Sequence, residues 1–360
     1  MRILPWYQKH LVYLLFTLLF GNLIASKSVD AAEEGSHAAE FLSHGVGARA
    51  LGMGGMFVSI ADDANATYWN PAGLAQIEKH AFSAMYSESF GIDGGRFLSK
   101  GLVQYNFVNY VQQIENIGTI GISWIRLGVD DIPLTTFVDK NGNGILGDFD
   151  DRNNNKIKEA GEIYIDLPII AGTFSNTDNA VLISYARQVG QRMALGANLK
   201  LLRQSIFENT GNGFGVDLGL LFGPYRGLRL GVTIVDATGT QIRWDTLTRP
   251  SFTRDPRLRI GTSYQIALPF IGTATFGADL ETNRRNLEDD EDSRGNLIFR
   301  YGVEYWMFNV VALRIGAEGD KLAAGAGLQI PLGEAKLFAD YAFNAHDLGD
   351  SQRISISGLF

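Results

Sequence analysis

The densest array of ion-binding side chains in the sequence lies at residues 139–162, DKNGNGILGDFDDRNNNKIKEAGE. Asp139, Asn141, Asn143, Gly144 and Asp150 occupy positions 1, 3, 5, 6 and 12 of a calcium-loop pattern, with the Ile145 carbonyl at position 7. A second copy follows at once, with Asp151, Asn153, Asn155, Ile157, Glu159 and Glu162 at positions 1, 3, 5, 7, 9 and 12. Calcium takes six to eight hard oxygens in loose geometry, which alternate Asp and Asn side chains on a tight loop supply. Two departures weaken the match: Lys156 replaces the second glycine, and Asp150 is shorter than the usual closing glutamate. The competing reading is a solvated Asn/Gly/Asp-rich loop. Calcium is the one cofactor expected.

Other chemistry is hard to place. No GK[ST], HExxH or GxSxG motif occurs, and the five histidines are scattered. Gly52, Gly54 and Gly55 lack the strand-then-helix context of a dinucleotide site. With no cysteine, thiolate metal sites, disulfides and cysteine nucleophiles are excluded. A net charge of -8 without a Lys/Arg run argues against nucleic acid as a partner. The chain reads as a non-enzyme.

The elements that carry the insertion are strands. From His80 onward apolar residues alternate with small or charged ones, as in Phe214, Val216, Leu218, Leu220 and Phe222 against Gly215, Asp217 and Gly219. Strands are predicted near 80–89, 100–112, 117–127, 179–188, 192–204, 213–223, 228–237, 257–267, 271–281, 297–307, 310–318, 322–331, 335–344 and 352–360. That is about fourteen strands of roughly nine to thirteen residues, long enough to cross a bilayer at a tilt. Every second connection is tiny, and most of the others, including 128–178 and 238–256, read as long polar loops. Such parity belongs to a transmembrane antiparallel β-barrel with short periplasmic turns and long outer loops. An all-β barrel over 80–360, with the calcium-like insertion outside, is therefore expected.

On this reading Val216, Leu218, Ile260, Tyr264, Tyr301, Tyr305, Leu313, Ile315, Tyr341 and Phe343 face lipid. Asn198, Lys200, Asp217, Asp279, Glu281, Arg300, Glu304, Arg314, Glu318 and Asp340 face inward, free to pair with one another or with Arg49 and Asp62. The last strand places Ile354, Ile356, Gly358 and terminal Phe360 on one face, as in a barrel-assembly signal.

Ahead of the strands, residues 1–32 read as an export signal, with Arg2 and Lys9 before the apolar run 11–20 and small residues behind it. Residues 45–76, GVGARALGMGGMFVSIADDANATYWNPAGLAQ, then combine closely spaced glycines with turn chemistry at Asn70, Pro71, Ala72 and Gly73. So much glycine suits backbone packed tightly inside something else.

This stretch resembles the front of the FadL-like outer-membrane barrels (the OMPP1/FadL/TodX superfamily), and most closely their PorV/PorQ branch. The likeness is carried by Arg49, Gly52, Gly54 and Gly55, by Asp62 and Asp63, and by Trp69, Asn70, Pro71, Ala72 and Gly73. It implies that residues 33–79 fold back into the barrel as a plug, or hatch, in the outer membrane of a Gram-negative bacterium. It also implies two jobs: type IX-style export, with secreted cargo or export-machinery proteins as partners, or FadL-like passive transport of hydrophobic small molecules. A transporter would show a greasy pocket beneath the outer loops and a lateral gap at a kinked strand. A structural or adhesive plugged barrel is the third reading, and outer-membrane lipid is a partner in all three.

Overall fold

The computed structural model describes residues 38–91, 101–144, 146–150, 164–225, 227–269, 271–283, 296–345 and 350–360. The expected signal (1–32), Ile145, the second calcium-like copy (151–162) and residues 284–295 lie outside them. Among the described residues the strands are β1 (His80–Gly91), β2 (Gly101–Ile114), β3 (Gly118–Val138), β4 (Leu167–Val189), β5 (Met193–Ile206), β6 (Asn209–Tyr225), β7 (Leu228–Val235), β8 (Thr240–Trp244), β9 (Ser251–Arg254), β10 (Arg257–Leu268), β11 (Gly272–Asn283), β12 (Asn296–Met307), β13 (Val311–Glu318), β14 (Lys321–Leu332), β15 (Ala335–Asn344) and β16 (Ser351–Leu359).

Sequential neighbours pair antiparallel from β1 to β7, then β7 pairs with β10 and the order runs on to β16. The first strand meets the last, with Ala81 opposite Leu359, so fourteen strands close a ring and β8 and β9 branch from it. At this seam His80 and Phe360 exchange backbone hydrogen bonds of 3.3 and 3.0 Å, and the Phe360 ring stacks on Phe82. Closure leaves no backbone edge, which is what a sheet in hydrocarbon requires.

Burial follows the alternation. Predicted outward residues such as Tyr301, Leu313 and Ile315 are exposed, while Asn198, Lys200, Asp217, Asp279, Glu281, Arg300, Glu304, Arg314 and Asp340 are buried. Glu318 shares their face but sits at the mouth, where its half-exposed carboxylate accepts from Arg300 at 2.6 Å. An apolar surface this continuous has no place in water and marks a lipid-facing wall.

Two expected loops are corrected. Within 128–178, β3 continues to Val138 and β4 begins at Leu167, so a two-stranded ribbon of about ten residues a side rises roughly 30 Å above the ring. Both faces of this ribbon are largely exposed, so the sequence there carries no burial period to read. Within 238–256, β8 and β9 form a hairpin of five and four residues, too short and too rich in Thr, Asp, Gly and Pro to show alternation.

Candidate functional site

Residues 38–77 lie inside the ring. They touch it in an order that winds round the wall: Ala48 N–H donates to Ser355 Oγ of β16 at 3.1 Å, the Leu51 carbonyl accepts from Asn344 of β15 at 2.9 Å, and the Phe57 and Val58 amides donate to Asp279 of β11 at 2.8 and 2.9 Å. On the far side Asn109 of β2 donates to the Ala64 carbonyl and Asn198 of β5 to that of Thr67. A buried segment held from opposite sides of a closed ring can only be within it. Its own helices, at Ala48–Leu51 and Ala66–Trp69, are single turns, so this backbone depends on the wall for its shape.

The wall meets the segment with glycine. Gly277, Gly302 and Gly316 are directly opposite one another on β11, β12 and β13, and Gly231 opposes Gly261 on β7 and β10. A Cβ on Gly316 would stand 2.2 Å from the Met53 carbonyl carbon, one on Gly302 2.6 Å from Met53 O, and one on Gly231 2.3 Å from Val58 O. Gly219 and Gly196 give the same clearance to Asn70 and Pro71. Wall glycines and segment glycines therefore serve one close backbone approach.

The motif residues converge. Asn70 donates to the Val58 and Leu220 carbonyls at 2.8 and 3.1 Å and accepts from Ala72 N–H, which fixes the start of the Pro71–Gln76 turn. A Cβ on Gly73 would meet Ala61 O at 2.0 Å. Trp69 donates to the Val46 carbonyl at 2.9 Å and lies under the Arg259 guanidinium. Arg49 grips Glu304 of β12 with two hydrogen bonds, 2.9 and 2.8 Å, and reaches Asp62 at 2.6 Å and Asp63 at 3.2 Å. Two parallel N–H donors on one carboxylate are the strongest form of such a pair.

Inward charges then run from strand to strand. Glu304 also accepts from Arg314 of β13 at 2.7 Å, and Arg314 reaches across β14 to Asp340 of β15 at 2.7 Å. Glu281 of β11 takes Arg257 and Arg259 of β10 and Arg300 of β12 within 2.9 Å. Lys200 of β5 pairs with Asp217 of β6 and with Asp236. The roles of Asp236, Arg254 and the wall glycines escaped sequence reasoning; glycine recurring on the inward face of consecutive strands was the available signal.

The opposite arc is greasy. Tyr105 and Phe107 of β2, Ile125 of β3, Leu182 of β4 and Ile242 of β8 form one buried apolar cluster, with Phe41 and Leu42 of the inner segment packed into it. Arg254 holds this filling by donating to Ala39 O and, at 2.7 Å, to Ser43 Oγ; Tyr68 donates to Leu42 O at 2.5 Å. Beside Leu42 and Tyr68 a cavity of about 20 Å³ remains, lined also by Leu182, Lys200, Asp236 and Arg257, which is room for one water.

Here the wall is also interrupted. β7 stops at Val235, Asp236 turns with φ 57°, the Ala237 amide still donates to Val216 O of β6 at 2.7 Å, and the ladder to β6 is taken up again in β8. The neighbouring strand breaks at the same level, between β9 and β10 at residues 255–256. Two adjacent broken strands bordering an apolar cluster answer the description of a kinked wall; the pocket itself is filled by Phe41 and Leu42.

Solved structures with this fold include the CymD monoaromatic hydrocarbon channel (13% identity, 88% of this chain and 98% of that one, TM-score 0.52). The Ralstonia pickettii toluene transporter TbuX and the Pseudomonas putida toluene transporter TodX are each 12% identical, with 87% of this chain covered, 97% and 96% of theirs, and TM-scores of 0.51. Neither a family model nor a curated protein matches the sequence. What they share with this chain is the closed β-barrel fold.

At the tip of the ribbon, Asp139 accepts the Gly142 and Gly144 amides at 2.6 and 2.7 Å, and Asn141 accepts Asn143 N–H. Asp148, which the calcium pattern does not use, accepts from the Asn141 and Asn143 side-chain amides. Asp166 braces the turn by accepting from Lys140, Gly147 and Asp148 at 2.9–3.1 Å. Those donors, the Lys140 amide foremost, hold its carboxyl below the usual range. Among the described residues no three His, Asp or Glu side chains are grouped to hold a metal.

Proposed function

We propose that the chain is an outer-membrane barrel through which hydrophobic small molecules pass passively. The carrying observation is the apolar cluster beneath the outer end, bordered by paired breaks in β7/β8 and β9/β10. A hydrophobic solute could take the place of Phe41 and Leu42 there, because the site offers buried apolar and aromatic walls. The similarly folded monoaromatic hydrocarbon channel and toluene transporters support the same class of solute. Toluene entry into cells or vesicles carrying the protein tests this. L182R, which places a charge in the cluster, should abolish entry while the barrel still folds; entry no faster than in protein-free controls would end the reading.

The resemblance to the PorV/PorQ branch supports a second reading, in which the barrel docks secreted cargo for export. The feature that favours it is the β3–β4 ribbon, which exposes Leu134, Leu167 and Ile170 above the ring. Deleting the gene separates the two: lost secretion with normal growth on hydrocarbons supports docking, and the reverse supports passage.

A further inference from the structure

One polar row crosses the outward face. Asn106 of β2 is paired with Arg126 of β3, Arg126 with Asn179 of β4, Asn179 with Arg203 of β5, Arg203 with Asn212 of β6, and Asn212 with Arg243 of β8. Direct cross-strand partners share a face, and the residues next to them in sequence, Tyr105, Ile125, Ala180, Leu202 and Ile242, are buried inward. The row therefore points out of the barrel, as Asn–Arg–Asn–Arg–Asn–Arg. Strands about 4.8 Å apart set successive guanidinium groups roughly 10 Å from one another, with a carboxamide in each gap.

Its height is fixed by the rung beneath. Val108, Trp124, Val181, Leu201 and Phe214 form the next outward row toward the membrane centre, all apolar. Trp124 donates its indole N–H to Asn179 at 3.1 Å, joining the two rows. The arginines thus stand at the boundary between hydrocarbon and headgroups at the long-loop end. On the opposite arc apolar Leu297, Phe299 and Leu322 run out to the strand ends, so the row belongs to one side of the barrel.

Among the described residues, nearby carboxylates do not use it up. Asp130 lies 3.6 Å from Arg126, and Asp245, beside Arg203, already accepts the Thr210 amide and hydroxyl at 2.7 and 2.8 Å. Guanidinium forks match phosphate oxygens, carboxamides both donate to and accept from hydroxyls, and the apolar rung suits acyl chains. We propose that this row binds a phosphorylated, acylated sugar lipid of the outer leaflet. The assignment rests on outer-membrane placement and is independent of what the barrel transports.

The test uses the full chain in detergent, with folding checked by heat-dependent gel mobility. Binding of diphosphorylated lipid A is compared with that of its dephosphorylated form and of inorganic phosphate. The protein should prefer the phosphorylated lipid, and R126Q/R203Q/R243Q should weaken that binding about tenfold or more, as expected for lost charge-assisted hydrogen bonds. R187Q/R192Q/K336Q, which removes equal charge at the other end, should leave it unchanged. If the triple variant does not fold, R203Q alone carries the test with a loss of about threefold or more. Equal binding of the dephosphorylated lipid, equal competition by inorganic phosphate, or loss in the control variant would overturn the assignment.

Discussion

Placing a side chain on Gly316 attacks the contact between wall and inner segment where it has least room. In G316V the new Cβ would lie 2.2 Å from Met53 C, 2.4 Å from Met53 O and 2.7 Å from Gly54 N. All three are backbone atoms, so no rotamer change can clear them, and ordinary contact demands a retreat of roughly 1 Å. The segment resists, because Met53, Gly54 and Gly55 each donate a backbone hydrogen bond of 3.0–3.1 Å to Ala50 or Leu51. Overpacking of this kind costs about 1–3 kcal/mol, and at about 1.4 kcal/mol per tenfold the upper value raises the displaced population more than a hundredfold. Single-channel recording in planar bilayers reads the effect: the wild type should be closed and G316V should show ion current through the polar lumen. G172V is the control, since a Cβ there meets nothing within 4 Å. If G316V stays as closed as G172V and its segment no more protease-sensitive, the glycine row does not seat the segment.

Removing Arg49 leaves Glu304 buried with one partner fewer, so R49A should destabilise the folded protein by about 3–5 kcal/mol in denaturant titration; a loss below about 1 kcal/mol would refute the buried grip. Leu218 faces outward midway along β6, and L218K should cost about 2–4 kcal/mol, with a neutral result reversing the wall's faces. The Asp166 carboxyl is depressed in the folded chain, so its brace is complete above about pH 4 and fails as pH drops through the depressed value. Pepsin digestion at stepped pH should find the ribbon tip resistant until that window, and cutting that ignores pH would contradict it. We further propose that the tip takes calcium: D139A/D151A should abolish calcium-dependent protease resistance, and resistance indifferent to calcium removes the ion from the account.

Much of the wall could be read directly, because a strand with lipid on one side and charge or glycine on the other has no choice but to alternate. Phe214 to Phe222 shows this, and the predicted bounds of β15, 335–344, match the structure. The β3–β4 ribbon could not be read, since solvent on both faces erases the period that Leu134 and Ile169 would otherwise keep. Of the inner site, Arg49 and Asp62 were visible as charges among small residues, but Glu304 as partner to Arg49 is 255 positions away. Nothing local encodes such a meeting. The same holds for Asp236, whose left-handed φ and three cationic neighbours exist only once β5, β7, β9 and β10 are side by side.

The seam between first and last strands bears on how the molecule is made. Residues 38–77 leave the ribosome before any wall strand, yet finish enclosed by all of them, tied by Arg49 to β12 and by Asn70 to β6. Entry through an end of a finished cylinder would leave every one of these anchors to be made after closure. The expected order is therefore that the wall is laid around the segment while the sheet is still a trough, with the join of His80 to Phe360 made last. Any change that shuts that join early should strand the segment outside.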